Sequence, residues 1–236
     1  MEKRRGFEHI SDILPRILRQ VPTACDNLPN PPFDSPIETV FAESCFKFLS
    51  PTANVGKQIE VSTTHGKFRL DFLVSVNDRT IAVECDGKDF HEGLHDELRD
   101  AILLGEGYCD TVYHFRGCDL VYYPYDCIWL MSVLDDGLFT QRGHLQLGKL
   151  RFLALNISKE DIETKESFVL NIDPPARFLW VFRRSVYLTL KNPSLKYHWK
   201  VLYEFACKYP HASLDKLFNL RVSSWTQPQD DISELH

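Results

Sequence analysis

Three acidic residues, Asp71, Glu84 and Asp86, lie in two sequence segments that alternate like adjacent strands. Glu84 and Asp86 are two positions apart and point to the same side of a strand, with Asp71 expected opposite them on the partner strand. Carboxylates at close range repel and raise each other's pKa, and a cation with oxygen ligands removes that cost. The spacing therefore predicts a magnesium site and a metal-dependent reaction, with phosphodiester cleavage as the leading candidate.

The same three residues could instead be solvent-exposed charges at strand ends. Asp71 stands in Leu-Asp-Phe-Leu-Val and Glu84 in Ile-Ala-Val-Glu-Cys, however, where a core strand should be apolar. Because buried charge needs a partner, these surroundings favour a clustered site. Gly87, directly after Asp86, lets the backbone turn sharply and lets a phosphate come close.

Several polar neighbours have two interpretations. Glu38 lies where the capping box Ser35-Pro-Ile-Glu needs a glutamate, without any metal. Gln58, on the first predicted strand, is of a type that usually lies at the surface, and it is also a candidate for contact with nucleic acid. Arg99 and Arg116 either contact phosphates or pair with the surplus acids of this half.

Two histidines follow the carboxylates. His91 and His95 have the helical spacing of a zinc pair, but no third ligand follows at a recognised interval. His91 by itself is better placed as a proton carrier close to the acidic residues.

The predicted elements that position these residues are a helix, three antiparallel strands, a helix, a strand and a helix. Proline at the first helical position after Ser35 favours the first helix, and His65-Gly66 is a tight-turn pair that closes a hairpin. In order, the elements are a helix from Ser35 to Leu49, strands at 57–64, 67–74 and 80–85, a helix at 92–105, a strand at 110–116 and a helix at 125–134.

The flanks are less regular. A helix with a proline inside it is predicted at 7–21, before a proline-rich loop. In the second half, the predictions are a strand at 147–156, a charged connector at 158–166, an apolar and aromatic segment without a clean period at 176–190, helices at 197–207 and 213–220, and a frayed tail from 226.

The segment 177–208 combines basic and aromatic side chains. It contains seven Lys or Arg residues and only one Glu. Of these basic residues, Arg183, Arg184 and Lys200 are the candidates for contacts with nucleic acid. Such a mixture could stack bases and hold phosphates, or it could be the core and rim of a protein-docking surface. The sequence leaves both alternatives open.

Composition excludes several classes of protein. A net charge of −6 argues against a protein that coats nucleic acid through bulk charge. Seven cysteines without a Cys-x-x-Cys pair argue against a structural zinc site and fit reduced thiols. The sequence has no apolar run long enough to cross a bilayer and no apolar signal core after its basic start. We therefore expect a soluble, cytoplasmic protein that does not enter a membrane.

Taken together, the motifs resemble the PD-(D/E)XK nuclease superfamily, and within it the very-short-patch-repair-like branch. The resemblance covers roughly residues 34–134. The residues that carry it are, in chain order, Ser35-Pro36-Ile37-Glu38, Gln58, Asp71, Glu84-Cys85-Asp86-Gly87, His91, Arg99-Asp100, Gly107-Tyr108 and Phe115-Arg116.

The resemblance implies an α/β (α+β) restriction-endonuclease-like core, with a central four-stranded mixed sheet flanked by helices. It also implies three regions: an N-terminal helix and linker at 1–33, the nuclease-like core at 34–135 and a mostly helical extension at 136–236. The extension is a candidate for docking of nucleic acid or protein.

For the site, the resemblance implies that magnesium or manganese is held by Asp71, Glu84 and the Cys85 carbonyl, with Asp86 and Glu38 completing or extending the shell. Asp86 occupies the position that a lysine normally holds in this superfamily. Lys88 or His91 could replace that lysine, with His91 the candidate general base, or Asp86 could bind the metal and leave water activation to the ion.

Three functions remain open on the sequence. The first is a metal-dependent nuclease, with DNA favoured over RNA by the resemblance. The second is a nuclease-like module that binds nucleic acid or a partner protein without cutting, and the missing lysine supports it. The third is a purely structural subunit of a larger assembly, supported by the acidic balance and the aromatic C-terminal half.

Overall fold

The computed structural model describes residues 28–87, 93–153, 157–172, 177–191 and 197–226. The helix predicted at 7–21, two candidate catalytic residues (Lys88 and His91) and the tail from 227 lie outside the described residues.

One mixed sheet of six strands organises the described chain. Its spatial order is β1-β2-β3-β4-β6-β5. The neighbours β3 and β4 are parallel, and the other neighbouring pairs are antiparallel. The strands are β1 (Asn54–Thr63), β2 (Gly66–Val76), β3 (Arg79–Asp86), β4 (Thr111–Arg116), β5 (Ser167–Ile172) and β6 (Arg177–Ser185).

Helices cover both faces of this sheet. They are α1 (Pro36–Cys45), α2 (Gly93–Gly105), α3 (Gly117–Tyr122), α4 (Pro124–Leu134), α5 (Gln141–Leu150), α6 (Lys159–Thr164), α7 (Val186–Lys191), α8 (His198–Ala206) and α9 (Leu214–Thr226), with 3-10 turns at Phe46–Phe48 and Asp136–Leu138. No helix within these described stretches has the length and apolar character that a membrane span requires.

The order of elements from α1 to β4 agrees with the prediction, whereas α3 was not predicted and precedes the predicted helix α4. Ser35 caps α1 by accepting a hydrogen bond from the Glu38 N–H at 3.2 Å, and Pro36 begins the helix. The parallel pairing of β3 with β4 requires a crossover connection, which α2 supplies. Residues 93–110 therefore return across one face of the sheet, with α2 over the ends of β3 and β4.

Two apolar clusters hold the layers together, one on each face of the sheet. The first packs α1, α4 and α5 against the sheet, with Phe41, Phe72, Val83, Phe115, Ile128 and Leu147 among its buried members. The second packs α2, α8 and α9 against the other face, with Leu98, Ile102, Val112, Leu202 and Leu217 buried.

The four-stranded sheet expected from the sequence is corrected to six strands, because β6 pairs with β4 and carries β5 beside it. The segment 176–190 lacked a clear period because both faces of β6 are covered. Leu179 and Val181 are fully buried on one face, and Trp180 and Phe182 lie on the other, so apolar side chains do not alternate with polar ones.

Two smaller expectations in the second half also change. The strand predicted at 147–156 is wrong for its first residues, because α5 continues to Leu150, and 154–156 lie outside the described residues. The charged connector contains α6, which Ser158 and Asp161 start with a capping box.

Candidate functional site

The site begins where β2 separates from β3. Pairing between these strands ends at Phe72 opposite Val83. One residue further, Asp71 accepts a hydrogen bond from the Cys85 N–H through its Oδ2 at 2.8 Å. The carboxylate thus takes the place of a strand carbonyl, which fixes its position at the edge of the divergence. Burial raises the pKa of Asp71, and the nearby negative charge of Glu38 adds to that rise.

Gln58 connects two of the predicted ligands. Its backbone has φ of 51°, the left-handed region, and its position is skipped between the pairs Lys57–Phe72 and Ile59–Leu70. Its Nε2 donates to Glu38 Oε2 at 2.9 Å and lies 3.5 Å from Asp71 Oδ1. A residue other than glycine pays about 1 kcal/mol or more for this conformation. Gln58 is half-buried and bridges two acids through its side-chain amide.

Glu38 lies in the first turn of α1, beside Gln58. It is only 4% exposed, and its Oε2 accepts hydrogen bonds from Gln58 and from the Asp34 N–H at 3.3 Å. The carboxylate therefore stabilises the chain that enters α1 and also faces Asp71 through Gln58. In a capping box, the Glu38 carboxylate would accept a hydrogen bond from the Ser35 N–H. Here it accepts one from the Asp34 N–H instead.

Glu84 faces α2 and forms an ion pair with Arg99. The carboxylate is 5% exposed. Burial raises the pKa of Glu84 to about 7, although the charges of Arg99 and His114 oppose the rise. Of the two roles considered for Arg99, the structure shows pairing with an acid of the site.

Asp86 belongs to a buried chain of alternating charges. Its Oδ2 lies 3.0 Å from His114 Nδ1, and His114 Nε2 lies 2.9 Å from Asp100 Oδ2. Asp100 also accepts from Arg184 at 2.5 Å, and Arg184 reaches Glu97 at 3.2 Å. A neutral imidazole has one N–H, so contact with a carboxylate at both nitrogens favours the imidazolium. Burial opposes that charge, but Asp100 and Asp86 outweigh it and raise the pKa of His114 to about 10.

Sequence reasoning missed His114, and it gave Asp100 no role although Arg99-Asp100 is one of the motifs. A signal for His114 was present, because Tyr-His-Phe places a histidine inside an otherwise apolar strand. The parallel register, which sets His114 beside Glu84, was not available without the fold.

The charges of all four predicted acidic ligands affect one residue of β3, Cys85. Burial raises the pKa of the Cys85 thiol well above its usual value, and the charges of Asp71, Glu84, Asp86 and Glu38 add to that rise. The four acids thus lie within electrostatic reach of Cys85.

They do not, however, form a metal site as arranged. Across the described ranges, no group of three or more His, Cys, Asp or Glu side chains is placed to hold a metal ion. Glu84 is engaged by Arg99, Asp86 by His114, and Gln58 separates Glu38 from Asp71. Oxygen donors suit magnesium or manganese chemically, and the Gln58 Oε1 is buried without a hydrogen bond, but this conformation does not fit the ion.

A groove of about 820 Å³ adjoins the site. Gly87, directly after Asp86, is one of its lining residues, and others come from α2, α3 and the ends of β4 and β6. Its lining consists of Ile37, Gly87, Gly93, Asp96, Glu97, His114, Arg116, Gly117, Cys118, Val121, Tyr122, Trp180, Phe182 and Arg184.

The basic residues predicted to contact nucleic acid lie in different places. Arg116 and Arg184 line the groove, although Arg116 also forms a bidentate ion pair with Asp119 at 2.7 and 3.0 Å. Lys200 is exposed on α8. Arg183 is 4% exposed on the opposite face of β6 and lies 3.3 Å from Asp135, so the expected contact with nucleic acid is corrected to a structural ion pair.

The aromatic residues of the second half divide in the same way. Tyr197 and Trp199 are 4% and 6% exposed and belong to the apolar cluster beside α2. Trp180 and Phe182 instead lie beside the groove.

Comparison of this chain with models of protein families, with curated proteins and with solved structures found no match.

Proposed function

We propose that this protein is a divalent-metal-dependent nuclease that hydrolyses phosphodiester bonds, with DNA as its substrate. The observation that supports it most is the gathering of Glu38, Asp71, Glu84 and Asp86 around Cys85, with the pKa of Asp71 and Glu84 raised by burial. Buried like charges are costly to keep together, and a cation offsets that cost. The choice of DNA rests on the motif resemblance.

The proposal has a structural requirement. Glu84 must exchange Arg99 for the cation, because the ion pair occupies the carboxylate in the observed conformation. Magnesium or manganese would supply the positive charge that water activation and the phosphate oxygens need. Asp71, already fixed by the Cys85 N–H, needs no such rearrangement.

The decisive experiment is cleavage of plasmid and single-stranded DNA in magnesium or manganese. We expect cutting by the wild type and none by Glu84→Ala. Glu60→Ala is a matched control, because Glu60 is an exposed acid on the same sheet. Cutting that persists in Glu84→Ala would point to a contaminating nuclease and overturn the proposal.

Metal binding can be measured without activity. An ion that binds only the folded protein raises the thermal unfolding midpoint. We expect magnesium or manganese to raise the midpoint of the wild type and to leave that of Asp71→Asn unchanged. Equal shifts in both proteins would place any bound ion elsewhere.

A second candidate is a module that binds nucleic acid or a partner protein without cutting. The pairing of Glu84 with Arg99 and of Asp86 with His114 favours it, because both acids already have counterions. This function predicts no cleavage in either metal, together with DNA binding that weakens steeply as salt increases. A protein partner would dock on the C-terminal half, where Lys200 is exposed.

The compartment that we propose is the cytoplasm. The six cysteines in the described ranges are free thiols, which fits a reducing environment.

A further inference from the structure

Two of the four acids of the site, Glu38 and Asp71, differ from the other two in their partners. The other two form ion pairs, whereas within the described ranges Glu38 and Asp71 form hydrogen bonds only. Each accepts one from the backbone, Glu38 from the Asp34 N–H at 3.3 Å and Asp71 from the Cys85 N–H at 2.8 Å. A backbone N–H fixes the position of a carboxylate but carries no net charge. The repulsion between Glu38 and Asp71 therefore needs a further group to offset it.

The Gln58 amide lies between these two carboxylates. Its Nε2 donates to Glu38 Oε2 at 2.9 Å and lies 3.5 Å from Asp71 Oδ1. An amide nitrogen carries two N–H groups, one for each carboxylate. The Oε1 of the same amide is buried and accepts no hydrogen bond from the described residues. Because an unsatisfied buried acceptor is costly, the two acids and not the amide oxygen decide the orientation of this side chain.

The backbone of Gln58 is held in an unfavourable conformation at the same point. Its φ of 51° lies in the left-handed region, which residues other than glycine adopt at a cost. Lys57 and Ile59 on either side pair with β2, whereas Gln58 is skipped opposite Asp71. The side chain that leaves this unpaired position is the one that reaches both acids. Strain of this kind persists only where surrounding contacts fix it, and it is frequent at functional sites.

We propose that Gln58 is a positioning residue of the acidic site, whose amide N–H groups hold the Glu38 and Asp71 carboxylates together as a cation would. The inference rests on the proposed function, because it gives Gln58 a task within the same site. It also accounts for the poor fit of the observed arrangement to a metal ion, since the amide occupies the space between the two carboxylates. A neutral amide suits this task, because its donors offset the repulsion without burying a further charge.

A double-mutant cycle in EDTA, followed by thermal unfolding, tests the bridge. Gln58→Met keeps the length and the unbranched Cβ of the side chain and removes both N–H donors. We expect the unfolding midpoint to fall by about 3–12 °C, as for lost hydrogen bonds to charged groups in a protein of this size. Asp71→Asn removes the repulsion that is then left without a bridge. Its effect on the midpoint should therefore be more favourable in Gln58→Met than in the wild type.

Gln58→Glu gives a readout that a merely structural role would not change. A third carboxylate in place of the amide adds repulsion in EDTA and adds an oxygen ligand for a cation. We expect a lower midpoint than that of Gln58→Met in EDTA, and a larger rise on addition of manganese chloride than in the wild type. Gln141→Met is the matched control, because Gln141 is an exposed glutamine at the start of α5, and its midpoint should equal that of the wild type.

The outcomes separate the bridge from the nuclease. Additive effects of Gln58→Met and Asp71→Asn in EDTA overturn the inference, even if the protein cuts DNA. Equal manganese-induced rises in Gln58→Glu and the wild type also overturn it. Loss of folding in Gln58→Met counts as coupling if Asp71→Asn restores the fold, and against the inference if it does not. Coupling in EDTA with a larger rise in Gln58→Glu supports the bridge, even if no cleavage is found and the proposed nuclease fails.

Discussion

At the scale of single residues, the acidic side chains differ in how their charge is compensated. Glu84 has Arg99, and Asp86 has an imidazolium held in turn by Asp100. Asp71 has hydrogen bonds from the Cys85 N–H and from Gln58. Asp86, with His114 beside it, occupies the position where the resemblance predicts a lysine. The positive charge at this end of β3 comes instead from Arg99 of α2 and His114 of β4.

Glu84 gives a prediction for the dependence of stability on pH. Its pKa is about 7 in the folded protein, against a usual value of 4.5. Between these values the folded state holds a proton that the unfolded state has lost, so this group makes the free energy of unfolding fall as pH rises. Glu84→Gln removes that titration. We expect the variant, relative to the wild type, to gain up to about 3 kcal/mol between pH 4.5 and 8.

The measurement is urea denaturation of both proteins at several pH values in EDTA. A constant offset between them, from the lost ion pair with Arg99, leaves the expectation intact. Parallel profiles with no relative change across the window would mean that Glu84 titrates normally in the folded protein.

At the scale of elements, the crossover helix α2 decides which face of the sheet carries the chemistry. It brings Arg99 to Glu84 and Asp100 to His114, and it is itself held by α8 and α9 through the second apolar cluster. The C-terminal helices α8 and α9 therefore hold α2, and with it Arg99 and Asp100, in position. Gly105, at the end of α2, lies against α8, because a Cβ there would lie 2.3 Å from the ring of Tyr203.

Gly105→Ala tests this packing. The added methyl group would force the Tyr203 ring or α8 to move, and overpacking of this kind costs about 1–3 kcal/mol. We expect Gly105→Ala to have a lower free energy of unfolding, measured in urea, because α8 packs less closely against α2. Gly137→Ala is the control, because a Cβ at Gly137 meets nothing within 4 Å. Equal stability of the two variants would show that α8 does not press on α2.

At the scale of the whole molecule, the second half is not an appendage to the first. The strand β6 lies beside β4 and leaves no exposed edge there, and Arg183 and Arg184 bind Asp135 and Asp100 on opposite faces of the sheet. Removing one partner of a buried ion pair lowers the free energy of unfolding by about 3–5 kcal/mol. We therefore expect the two sides of the boundary predicted near residue 135 to fold as one unit.

A chain that ends at residue 135 is accordingly expected not to fold. It would expose the edge of β4 and leave Asp100 without Arg184 in an apolar setting. Circular dichroism and a thermal melt would show no cooperative transition, and the full chain is the control. A cooperative transition in the fragment would restore the domain boundary predicted from the sequence.

The sequence by itself determined the elements from α1 to β4 and the clustering of the acids. Local signals suffice for these: a cap at Ser35, alternation around Asp71 and Glu84, and helical spacing through α2. Only the tertiary structure decided the partners of those acids and the place of β6. The pairings of Glu84 with Arg99, of Asp86 with His114 and of β4 with β6 join residues that are distant in sequence, so no local pattern predicts them. In addition, β6 carries apolar side chains on both faces and therefore shows no alternating period.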